Sequence, residues 1–390
     1  MRRRELLQCA VLTPMLPWLP RLANGTEEPA ATLLARKSLV LVELNGGNDG
    51  LNTVVPFVDP EYSRLRPKLA IQRNQVLKLD EHLGLHPALE PLMPAWQDAE
   101  LAWVLGVGYA QPNRSHFRSI DIWETASDSE QVLHQGWVAR SLPVPQQKQA
   151  ALPDVVVLGG DDGPLQGGTL QVISLQKPES FTREAARLET AQASDRTPDA
   201  LAHILAVRQA VSQAGIEFQH YLDNTLKQDT LDFPKTALGQ QLHQVARMLL
   251  AGMNIPVFKV RIGSFDTHNN QQSRHRQLLT QLAESLAVFR QTLRKAGLWN
   301  DVLIMSYSEF GRRAAENASQ GTDHGTAAPH FILGGRVKGG LFGEQPSLHQ
   351  LEKGDLRHTV DYRQLYTTVA QRWWNTEVDW QQRFPALDFI

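Results

Sequence analysis

Ile255-Pro256-Val257-Phe258-Lys259-Val260-Arg261-Ile262 is followed by Leu278, Leu282, Leu286, Phe289 and Leu293 at three- and four-residue spacing, and then by Val302-Leu303-Ile304-Met305-Ser306. The first and last runs have the length and β-branched content of buried strands; the middle has the period of a helix, closed by Lys295 and Gly297 as a charged last turn and C-cap. A strand, a long helix and a second strand make a crossover between parallel strands. The same grammar extends outward. Further strands are expected at Leu39–Leu44, Leu101–Val107, Asp154–Leu158 and His330–Leu333, and helices around Leu201–Leu222 and Thr236–Met253, with Asp232-Phe233-Pro234 breaking between them. The expected fold is α/β: a mostly parallel central sheet with helices on both faces. No shift in composition divides the chain, so residues 26–390 are expected to form one domain, with Pro143–Leu152 and Glu189–Thr197 as surface loops.

The start of the chain has another character. Arg2-Arg3-Arg4 precedes Glu5-Leu6-Leu7 and a weakly apolar stretch to Leu22 that contains Pro14, Pro17 and Pro20. That stretch is too short and too interrupted to span a membrane. Residues 1–25 are expected to be a twin-arginine signal, read by the translocase that exports folded proteins to the periplasm. Cys9 is the single cysteine of the 390 residues, so a metal would have to be held by His, Asp, Glu or Asn. The net charge of −2 supplies no footprint for nucleic acid.

In open parallel sheets, ligands bind beyond the carboxyl ends of the strands. The expected strands end in polar loops: Asn45-Gly46-Gly47-Asn48-Asp49-Gly50, Asn113-Arg114-Ser115-His116-Phe117, Phe265-Asp266-Thr267-His268 and Ser308-Glu309-Phe310-Gly311-Arg312, with Gly321-Thr322-Asp323-His324-Gly325 before the last strand. Any one of these is ordinary turn chemistry. Their recurrence at one sheet edge is not. Asp266 and His268, two apart, can face the same way and, with His324, form a three-ligand set for Zn²⁺ or a similar divalent ion, with Mn, Mg or Ca as other candidates. Asp49, Glu309 and Asp323 are candidates for the oxygens of a second, harder ion.

These motifs, over Lys37 to about Asn375, resemble the domain of unknown function 1501 family, whose members are largely twin-arginine-exported bacterial proteins grouped by fold with alkaline phosphatases and sulfatases. The resemblance implies an alkaline phosphatase-like fold. By comparison with metal-dependent enzymes of that fold, Asp266 and His268 stand at a metal-ligand position and His324 at the final metal histidine. Glu309-Phe310 departs from the expected Asp-His. Ser115 stands where such enzymes keep a nucleophile, with Thr53 as another hydroxyl and His116 as a ligand or an acid/base; a cysteine-derived nucleophile is excluded. Arg114 and Arg312 are candidates to clamp an oxyanion.

Two functions are therefore weighed. One is an exported metal-dependent hydrolase acting on a small anionic phosphate or sulfate ester, from which a transferase or mutase on the same scaffold is not separable. The other is a non-catalytic exported binding or assembly protein with an unknown partner. Trp373-Trp374, after the helical stretch Asp361–Arg372, are expected to cover the sheet edge.

Overall fold

A computed structural model describes residues 37–143, 152–175, 178–187, 199–225 and 232–390. The expected signal at residues 1–25, most of the Pro143–Leu152 loop and the Glu189–Thr197 loop lie outside the described residues. The central sheet is built from β1 (Ser38–Leu44), β2 (Leu101–Gly108), β3 (Val155–Val157), β4 (Val172–Ser174), β5 (Val257–Ile262), β6 (Val302–Tyr307), β7 (Ala328–Gly334), β8 (Gly340–Phe342) and β9 (Val360–Asp361). Their order is β8-β2-β7-β6-β1-β5-β3-β4, with β9 also beside β2. Six of these strands fall where the apolar runs place them; the short β4, β8 and β9 carry too few residues for a periodic signal.

All pairings are parallel except those of β7, which runs antiparallel to both β2 and β6. That single reversal positions the site. Strands β1, β2, β5 and β6 deliver their carboxyl ends to one edge, and β7 delivers its start to the same edge, so the 321–325 loop joins the other four.

Alternation along β1 divides the core. Val40, Val42 and Leu44 pack on one face with Leu282, Leu286, Phe289 and Leu293 of a long helix, Gln271–Lys295. Leu39 and Leu41 pack on the other with Ile122 and Trp123 of α1 (His116–Thr125). The helices expected near 201–222 and 236–253 are α2 (Asp199–Thr225) and α3 (Ala237–Leu250), and the long crossover helix is α4. Near the end of the chain, α5 (Tyr362–Thr368) opens with a capping box from Asp361 and Gln364 and passes into a π-turn at Val369–Trp373. Trp373 and Trp374 are buried in the face shared with α1, where the Trp374 ring lies 5.8 Å from that of Trp137. No described helix is long and apolar enough to cross a membrane.

Beneath α1 lies an ionic cluster in which Lys259, Glu43 and Glu124 are buried and Asp161 is exposed. Lys259 Nζ sits 3.0 Å from Glu43, 3.6 Å from Glu124 and 2.9 Å from Asp161, and Tyr307 donates to Glu124 at 3.4 Å. The three carboxylates could by spacing hold a metal ion, but the lysine ammonium already stands among them as the cation. Burial, opposed by Lys259 and reinforced by Asp161 and Glu43, pushes the Glu124 carboxyl up to about 8. A raised carboxyl pKa contributes stability that is present below the unfolded value and is lost as pH rises through the folded one. The melting temperature of the wild type relative to Glu124→Gln is therefore expected to decline from about pH 5 to about pH 9. Melting curves across that range check it; a constant difference would contradict the assignment.

Candidate metal centre

The centre is assembled from the loops at that common edge. Beyond β5, Phe265 is buried and its N–H donates to the Asn45 carbonyl at 3.1 Å, which fixes the next residue, Asp266, against the first loop. Gly46 there has φ +112°, and a Cβ on it would lie 2.5 Å from the Asp266 amide nitrogen, so only glycine allows the two loops to approach so closely. His116 is the first residue of α1, and His324 comes from the loop before β7.

Three imidazoles converge on Asp266. His268 Nε2 lies 3.0 Å and His324 Nε2 3.2 Å from Asp266 Oδ1, and His116 Nε2 lies 3.6 Å from Oδ2. His268 Nε2 and His324 Nε2 are 3.0 Å apart. Each ring is held from behind through its other nitrogen. His116 Nδ1 donates to Glu309 Oε1 at 2.8 Å, His324 Nδ1 to the Arg114 carbonyl at 2.9 Å, and His268 Nδ1 faces Asp323 Oδ1 at 3.4 Å. A carbonyl only accepts, so His324 Nδ1 carries the proton and its Nε2 presents a lone pair in the neutral ring. Oxygen acceptors behind the outer nitrogens are the usual support of metal-binding histidines.

The donor set fits a divalent ion. Neutral imidazole lone pairs 3.0 Å apart repel unless a proton or a metal ion lies between them, and three imidazoles with a carboxylate suit zinc or a similar borderline ion. Burial keeps His324 below the ordinary histidine pKa, toward the neutral ligand form. The hydrogen bond to Glu309 raises His116 above it. Burial opposes ionisation of Asp266, yet Arg312 and the neighbouring imidazoles hold its carboxyl below the ordinary range. Phe310 closes one side, its ring 4.9 Å from that of His116 and 4.5 Å from that of His324.

Of the expected ligands, Asp266 and His324 come together with His116, their donor atoms within 4.8 Å of one another, and His268 Nε2 reaches this set from the side of Asp266 and His324. Glu309 and Asp323 do not point at the cluster's centre; they orient His116 and His268. Glu309 is buried, and its Oε1 also accepts from the Gly46 amide at 2.9 Å. Asp49 is a correction. It is buried away from the imidazoles, paired with Arg66 at 2.6 Å and hydrogen-bonded by Gln271, so its charge is already answered by a guanidinium. Among the described residues the other carboxylate cluster is the one around Lys259, whose ammonium already stands among its oxygens.

Two further expectations change. Thr53 is buried and its hydroxyl donates to the Asp49 carbonyl at 2.7 Å, which removes it as a nucleophile. Arg312 is fully built into the loops, as described below, and is not free to clamp a substrate; Arg114 is ion-paired with Asp355 at 3.0 Å. Ser115 is exposed at the N-cap of α1 and makes no capping hydrogen bond, so its hydroxyl has no structural duty there. The Arg66–Asp49–Gln271 network carried no sequence signal, because Arg66 sits in an unremarked Arg64-Leu65-Arg66-Pro67 stretch. The same holds for His275, whose Nε2 hydrogen-bonds Asn48 at 2.9 Å and whose pKa burial lowers to about 4.

Fold and site together define an α/β protein with a histidine-rich candidate metal centre at the carboxyl edge of its sheet. The chain belongs to the family described as Protein of unknown function (DUF1501), which matches residues 36–382. No curated protein matches it in sequence. Similar solved structures include a sulfatase from Pseudoalteromonas sp., at 10% identity over 88% of this chain and 70% of that one with a TM-score of 0.40. A phosphonate monoester hydrolase from Silicibacter pomeroyi is similar at 11% identity, over 90% of this chain and 76% of that one with a TM-score of 0.35. A protein in the alkaline phosphatase superfamily from Vibrio parahaemolyticus is similar at 10% identity, over 86% and 66% with a TM-score of 0.36.

Two substitutions separate ligand from scaffold. Glu309→Gln leaves all four donors in place but removes the carboxylate behind His116; divalent-metal affinity is expected to fall by about 10- to 100-fold, measured by competition with a chelator. Asp49→Asn weakens the buried pair with Arg66 and is expected to lower the melting temperature, while elemental analysis of the folded fraction shows unchanged metal content.

Proposed function

We propose that this chain is an exported, metal-dependent hydrolase of phosphate or sulfate esters, with a single divalent ion, zinc first, held by His116, Asp266, His268 and His324. The observation that carries the reading is the approach of three Nε2 atoms to the one Asp266 carboxylate, each imidazole braced at its other nitrogen. An ion bound there would act as a Lewis acid toward an ester oxygen.

Ser115 is the nucleophile in this reading. It adjoins His116 at the start of α1, a ten-residue helix whose first N–H groups have no intrahelical acceptor and face an anion favourably. Its oxygen bonds to phosphorus or sulfur while the bond to the ester oxygen breaks. The serine proton passes to solvent, and the departing alkoxide takes one up. Water then cleaves the seryl ester, releasing phosphate or sulfate and restoring the hydroxyl. Glu309 and the Arg114 carbonyl hold two of the rings in orientation throughout.

The test is elemental analysis of protein purified from the periplasm, alongside Asp266→Ala/His268→Ala, followed by a screen of phosphate and sulfate monoesters with Ser115→Ala as control. One equivalent of metal, lost in the double variant, and turnover reduced at least about 1,000-fold by Ser115→Ala without loss of metal are the expected results. Metal bound with no turnover of any ester would favour the non-catalytic exported binding protein. For the export step, replacing Arg3 and Arg4 by lysine is expected to retain the chain in the cytoplasm on fractionation.

A further inference from the structure

A groove of about 920 Å³ is lined in part by the loops that deliver two of the centre's histidines, His116 and His324. One wall is the stretch from Tyr109 to Arg114 that leads into Ser115 and His116; another contains Thr326, just beyond His324. Arg114 joins groove to centre, because its carbonyl accepts from His324 Nδ1 at 2.9 Å while its guanidinium, on the groove side, pairs with Asp355.

The remaining side is the 352–358 segment, which brings Lys353 and Arg357. Both are exposed, and neither has an ion-pair or side-chain hydrogen-bond partner among the described residues. Lys353 has φ +54°, in a turn closed by hydrogen bonds of 2.9 and 3.0 Å between the Glu352 and Asp355 backbones. The turn thus holds a lysine in a backbone conformation that favours glycine. Asp355 is turned to Arg114 and lies 3.8 Å from Arg313, so it does not neutralise these two cations. Glu352, the other acid of the groove, leaves the unpaired charge positive.

Starting from the hydrolase reading, we propose that this groove binds a second anionic group of the substrate. The substrate class is then a multiply charged ester, polysulfated or polyphosphorylated, of which one group occupies the metal centre and another lies over Lys353 and Arg357. Tetrahedral oxyanions of either element satisfy the same two cations by charge-assisted hydrogen bonds.

The test is equilibrium titration of the metal-loaded full-length protein and its Lys353→Ala/Arg357→Ala variant. The probes are a trisulfated disaccharide, fructose 1,6-bisphosphate, and their singly substituted counterparts, a monosulfated disaccharide and fructose 6-phosphate. Both substituted residues are exposed and lie outside the metal ligands, so folding and metal content are expected to be unchanged. The expected result is tighter binding of a multiply charged probe than of its counterpart in the wild type, and a loss of at least about tenfold for that probe alone in the variant. Which of the two multiply charged probes binds more tightly identifies the oxyanion. The proposal is overturned if the wild type shows no preference for the multiply charged probes, or if the variant weakens both kinds equally or neither. Because these are binding measurements, absence of turnover would count against the hydrolase reading while leaving the groove's preference standing, and turnover without that preference would do the reverse.

Discussion

Four of the five loops of the centre are fastened through one buried guanidinium. Arg312 donates from Nε to the Gly47 carbonyl at 2.7 Å, from Nη1 to the Thr322 carbonyl at 2.9 Å, and from Nη2 to the carbonyls of Gly46 and Phe265 and to Asp266 Oδ1, the last at 2.7 Å. It thus ties the loops after β1 and β5 and the loop before β7 to its own, the loop after β6. A buried guanidinium costs much in lost hydration unless its donors are all used and its charge is answered. Carbonyl oxygens do the first here, and Asp266 does the second. The residue that carries the positive charge of the scaffold is therefore also the one that sets the carboxylate of the metal centre, and a lysine at 312 could supply the charge but not the planar array of donors.

That fastening works only because of the strand reversal. Had β7 run parallel to its neighbours, the segment before it would have crossed to the opposite edge, and His324 would lie a strand's length from Asp266. With β7 antiparallel to β2 and β6, a short return from Arg312 to His324 suffices, and these two residues pair as an isolated antiparallel bridge. Thr322 N–H then donates to the Thr267 carbonyl at 3.1 Å, joining the Asp266–His268 loop to the His324 loop directly. His116 reaches the same place by another route, as the first residue of a helix whose far end is docked through Glu124 near Lys259.

The strands and long helices were legible in the sequence because hydrophobic period is a local property, and Asp266 and His268 were legible as a pair just beyond a strand end; that His324 reaches them depends on the reversal of β7, which hydrophobic period does not reveal. The remaining carboxylates were not. Whether an aspartate binds an ion, orients a histidine or pairs with an arginine depends on what another loop brings within a few ångströms, and Asp49, Glu309 and Asp323 each met a different partner: Arg66, His116 and His268. Arg312 depends on its surroundings in the same way; an arginine beside acidic loops reads equally as a surface clamp or an ion pair until the glycines that let backbone close over it are placed in space. Ser115, expected at a helix start, stands at the N-cap of α1, and its hydroxyl is not used as a cap.

The charges in contact with the imidazoles argue for a divalent ion independently of geometry. Asp266, Glu309 and Asp323 each touch a histidine ring, and Arg312 is the cation bonded to Asp266. With neutral rings the set is short of two positive charges. Protonation of two imidazoles would restore the balance, but it would set like charges side by side, because His268 Nε2 and His324 Nε2 are 3.0 Å apart and the His116 and His324 rings are separated by 4.5 Å between centroids. Burial further disfavours a proton on His324. One doubly charged ion shared by the Nε2 atoms supplies the same compensation without that repulsion, and it uses the lone pairs that the hydrogen bonds behind the rings have already turned inward. Asp49, for its part, is committed to Arg66.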